Sequence, residues 1–142
     1  MKTQTLPSIS DAISMILEAD PITETRFIDS IKPGQDARQG DIYIVAIAAI
    51  PVDAKSTLNR QLAPGSTQGS RHSVDAEVSV FNPANLGRKV TTPCGSAFAG
   101  PLLRSDTHIL IKHPEHADIS LPGGCYQVMG QWDPATDKRV AD

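Results

Sequence analysis

RQGDIYIVAIAAIP, residues 38–51, is the stretch that decides the fold class. It opens on a Gly-Asp turn and continues as a nearly unbroken run of β-branched and other apolar residues to Pro51. A run of that length and composition is what a strand covered on both faces requires. Ile42–Ala49 is therefore expected as the central strand.

Working outward, residues 72–81 alternate: Val74, Ala76, Val78 and Val80 fall on one side, Asp75, Glu77 and Ser79 on the other. That pattern predicts one half-exposed strand. Residues 58–62 read as a further strand, joined to it by LAPGSTQGSR at 62–71, whose Pro, Gly and Ser residues make a loop. PLLRS (101–105), THILIKH (107–113) and CYQVMGQW (125–132) are also expected strands, with LPGG at 121–124 turning the chain into the last one. TRFIDSIK (25–32) alternates imperfectly and ends at Pro33-Gly34, as a strand leaving into a loop would. Residues 82–101 carry three prolines and three glycines with little periodicity, which predicts an irregular loop. At the N-terminal side, SISDAISMILEAD (8–20) suits a short helix, with Ser10 as cap, Asp11 at its positive end and Pro21 stopping it. The expected architecture is mainly β: a small β-barrel or sandwich with a short N-terminal helix, a β core over 38–133 and a polar tail at 134–142.

The 142 residues suit a single domain able to enclose one core without disulfides. Only 4% of residues are aromatic, so the core must come from Ile, Val, Leu and Ala. Net charge is −3 and basic residues are spread as singles apart from Arg88-Lys89 and Lys138-Arg139. A nucleic-acid partner is not expected, since it calls for a basic stripe. No segment reaches the roughly 18 apolar residues of a membrane span, and MKTQTLPSIS lacks the apolar middle of a secretory signal. These features lead to the expectation of a cytoplasmic protein with no membrane partner, in which Cys94 and Cys125 are free thiols.

Chemistry concentrates in HPEHADI, residues 113–119. Following alternation along THILIKH, Ile109, Ile111 and His113 share the inward face, while His108 turns to solvent. Pro114 can open a helical turn, bringing His113 and His116 to one side with Glu115 beside them. His72, at the start of its strand, shares the parity of Val74 and is also expected inward. Three imidazoles at strand ends have two chemical readings. His72, His113 and His116 are candidate ligands for a divalent metal such as zinc, with Glu115 or Asp118 orienting a ligand or acting as base on bound water. Without a metal, one imidazole is a general acid or base, with Arg71 holding an anionic group. Against both stands the bland reading of a turn with satisfied histidines. No nucleophile motif and no Walker motif occurs.

RQGDIYIV (38–45), APGSTQGSRH (63–72) and HPEHADISLPGGCYQVMGQWD (113–133) together resemble small uncharacterised bacterial and phage proteins. In these a Q-G-D strand start is followed by G-x-x-H, H-x-E-H and L-P-x-G-x-Y pieces. The resemblance implies a compact β fold and no established activity. Carried over, it picks out Gly69, His72, His113, Glu115 and His116. Ser70 stands where some members would show a second histidine, which would leave a metal one ligand poorer. A different class of function, a non-enzymatic module binding a protein partner through the 82–101 loop or a sheet edge, is also open. So is a homo-oligomer built on the apolar strand 42–50.

Overall fold

The computed structural model describes residues 24–63, 72–92, 95–136 and 138–139 of the chain. Among them lie β1 (Arg26–Phe27), β2 (Asp36–Gln39), β3 (Ile42–Ile47), β4 (Lys55–Thr57), β5 (Gln61–Ala63), β6 (His72–Val74), β7 (Ser79–Asn82), β8 (Lys89–Thr92), β9 (Gly95–Lys112), β10 (Ile119–Asp133) and β11 (Lys138–Arg139). The fold is mainly β, as expected, but the strands form one open sheet rather than a barrel or sandwich. Its main path runs β2-β3-β10-β9-β6-β5, and β2 and β5 do not join to close it. The segment 8–20 expected as a helix lies outside the described residues.

The spine is the antiparallel pair β9–β10. The outer edge of β9 is shared along its length by β8, β7 and β6, while β10 receives β3 and, in parallel, β1. Core residues from β2, β3, β5, β6, β7, β9 and β10 form one cluster, so the sheet curls around it. Ile42, Ile44, Ile109, Ile111, Ile119 and Leu103 have no accessible surface. This aliphatic core is what the low aromatic content demanded.

Several boundaries differ from expectation. The strand expected over 42–49 stops at Ile47, and only one of its faces is fully buried: Ile42, Ile44 and Ala46 are covered, Tyr43, Val45 and Ile47 half so. The cover expected on both faces is complete on one and partial on the other. The strand expected over 72–81 is broken by a turn in which the Val78 N–H donates to Asp75 O at 3.2 Å, leaving Ala76 exposed. Residues 82–101 are irregular only in part: 83–88 lie outside any strand, but β8 and the start of β9 pair antiparallel, with Val90 opposite Ala97. LPGG does not turn the chain either. It lies within β10, whose pairing with β9 shifts register between Pro122 and Gly124, a bulge that absorbs what looks in sequence like a turn. In the polar tail, Lys138 and Arg139 pair with Asp133 and Trp132.

Candidate functional site

β2 and β3 are joined by Gly40-Asp41, and Gly40 sits at φ 58°, the left-handed conformation that glycine adopts without Cβ strain. This tight turn brings Gln39 and Asp41 together, both 2% exposed. Its position is fixed on β10 by the Gln131 N–H, which donates to Asp41 O at 3.0 Å. Facing the pair is His72, fully buried at the start of β6, whose register against β9 places it beside the Lys112 end of that strand.

Hydrogen-bond chemistry determines how these groups are oriented. The Gln39 side-chain NH2 donates to Ile111 O at 3.0 Å and Ala117 O at 2.8 Å, and both carbonyls can only accept. Gln39 Oε1 is therefore the atom 2.8 Å from His72 Nδ1, so Nδ1 carries a hydrogen. The other ring nitrogen, Nε2, lies 2.8 Å from Asp41 Oδ1, and the two share one proton. Both nitrogens of His72 are thus engaged.

His113, 5% exposed, continues the cluster. Its ring centroid lies 4.3 Å from that of His72, with a tilt of 48°. His116 follows at 4.5 Å and 45°, half-buried at the outer end. The row leads from zero exposure to the surface. The bend that produces it is not the helical turn expected after Pro114. Instead His113 Nδ1 accepts the Glu115 N–H at 2.9 Å, closing a local bend over 114–116. An Nδ1 that accepts carries no proton, so the His113 ring is neutral with its hydrogen on Nε2.

The inward parity of His72 and His113 and the solvent position of His108 agree with the structure. Glu115 brings its backbone N–H to the cluster while its side chain is exposed. Arg71, Gly69 and Ser70 lie outside the described residues, as does Cys94; Cys125 is a free thiol. Among the described residues, no group of three or more His, Cys, Asp or Glu side chains is arranged to hold a metal ion, and no helix is long and apolar enough to cross a membrane. Sequence reasoning missed Gln39 and Asp41. Their signal was there: two polar side chains flank a glycine at the mouth of the most apolar strand, where burial without partners is costly.

Fold and site together define a small, mainly antiparallel β domain built around a buried Gln–His–Asp network. The chain belongs to the family described as a domain of unknown function, DUF8820, whose model matches residues 38–131. That span begins one residue before Gln39 and contains every residue of the network. No curated protein and no solved structure matches the chain.

Proposed function

We propose that the imidazole row is an acid–base site in which His116 is the outward group that meets a substrate, and Asp41, His72 and Gln39 are its buried anchor. The observation that carries this is the contiguous passage of three rings from full burial at His72 to partial exposure at His116. A buried carboxylate beside the innermost imidazole holds its proton and orientation, the arrangement that acid–base sites use to present one imidazole in a defined state. Glu115, exposed and adjacent to His116 in the chain, is the neighbouring carboxylate of this reading, and Arg71, next to His72, is its group for an anionic substrate.

The zinc reading of His72, His113 and His116 is supported by the same ring adjacency. It requires His72 to give up Gln39 or Asp41, since each ring nitrogen already has a partner. A single assay pair separates the two. Hydrolysis of p-nitrophenyl acetate is expected to exceed that by an equal concentration of free imidazole by at least about tenfold, low for a positioned base. It should fall to background in His116→Gln and stay unchanged in His108→Gln. An unaltered rate in His116→Gln removes the acid–base reading. One equivalent of zinc retained through dialysis and lost in His72→Gln would put the metal reading in its place.

A further inference from the structure

Away from the histidines, the inner side of the curled sheet carries a half-open cleft of about 450 Å³, with Ile42, Leu62, Val80 and Val128 among its walls. Gly100 of β9 and Gly130 of β10 are among its lining residues, together with Gln61 and Leu62 of β5 and Val80 and Asn82 of β7. It opens at a rim carrying Leu86, which is 45% exposed.

The wall chemistry is selective. Asn59, Gln61 and Asn82 supply the polar side chains, and no charged side chain lines the cleft among the described residues. A volume of this size lies within the range of small-molecule sites, which combine apolar walls with a few polar groups that fix orientation. An ionic ligand would lose its hydration without a counter-charge. We propose that this cleft is a binding site for a neutral small molecule with an apolar body and one hydrogen-bonding group directed at the carboxamides. It is independent of the histidine row.

The structure supplies its own reporter: Trp132, the single tryptophan, stacks against Phe98, a wall residue, with centroids 4.6 Å apart. The full chain is titrated with cyclohexanol, methylcyclohexane and cyclohexanecarboxylate while methyl signals and the Trp132 indole N–H are followed by NMR. Saturable shifts confined to Ile42, Leu62, Val80, Val128 and Trp132 are expected with cyclohexanol. Binding of methylcyclohexane should be weaker by about three- to tenfold, the worth of one hydrogen bond, and the carboxylate should leave the signals unmoved. Asn82→Leu should narrow the gap between alcohol and hydrocarbon, and Val80→Trp, which fills the space, should abolish both. Absence of saturable shifts in the wild-type chain, equal binding of the carboxylate, or binding that survives Val80→Trp overturns the proposal.

Discussion

His72 Nε2 lies 2.8 Å from Asp41 Oδ1 with both side chains almost wholly removed from solvent, joining the turn between β2 and β3 to the start of β6. In sequence the two are 31 residues apart, and in the sheet β3 and β6 are separated by β10 and β9. The bond therefore bridges the curled sheet rather than following its ladder.

Asp41→Ala should destabilise the fold by about 3–5 kcal/mol, because it leaves a buried imidazole without its proton partner. Urea denaturation checks this through the midpoint, with the m-value unchanged if the loss is purely one of native-state stability. A midpoint equal to that of the wild type would show that the pair contributes nothing.

Gln39→Met keeps side-chain length but removes one acceptor and two donors. It strands His72 Nδ1–H and leaves Ile111 O and Ala117 O without the amide. Each unsatisfied buried group costs about 1–3 kcal/mol, so a loss of several kcal/mol is expected, together with faster hydrogen exchange in the bend after His113. Exchange that quickens uniformly across the sheet would mean that Gln39 supports the whole core and not that bend.

Gly123 lies at the β10 bulge, where an added Cβ would sit 2.7 Å from Asp106 O and 2.8 Å from Thr107 O. Both are backbone atoms of the paired strand and cannot swing away. Gly123→Ala should therefore cost about 1–3 kcal/mol through overpacking, read as a lower thermal midpoint. An unchanged midpoint would show that the β9–β10 pair gives way there.

Tyr126 is 2% exposed and donates its hydroxyl to Pro122 O. Burial, with a smaller contribution from the neighbouring Cys125, raises its pKa above the usual tyrosine value. The unfolded chain then releases the proton before the folded one does. Stability from this group is full below about pH 10 and is lost as pH climbs through the higher folded value. Between about pH 8 and pH 11, Tyr126→Phe should lose less stability than the wild type, a difference that denaturation at the two pH values measures directly.

Much of the fold was legible because strand parity is a local property. Ile109, Ile111 and His113 were placed inward and His108 outward by alternation alone, whereas Ile42–Ile47, expected to be covered on both faces, alternates between full and partial burial. Where pairing absorbs irregularity, local reading failed. LPGG looks like a turn, yet β9 holds it within a strand through a register shift, and residues 82–101 look irregular, yet β8 pairs with β9 across them. The site was half legible for the same reason. Imidazoles at strand ends announce themselves, whereas Gln39 and Asp41 resemble ordinary turn residues until something is seen facing them.

The amino-acid order alone settled that this chain is mainly β, that its core is aliphatic, and which side of each well-patterned strand that core covers, since alternation needs only neighbouring residues. Which strands meet was decided by tertiary structure: β9 and β10 as a spine, an open curled sheet in place of a barrel, and Gln39 and Asp41 delivered to His72. Hydrogen bonds between distant segments depend on register and curvature summed over the whole sheet, and no local stretch carries that sum.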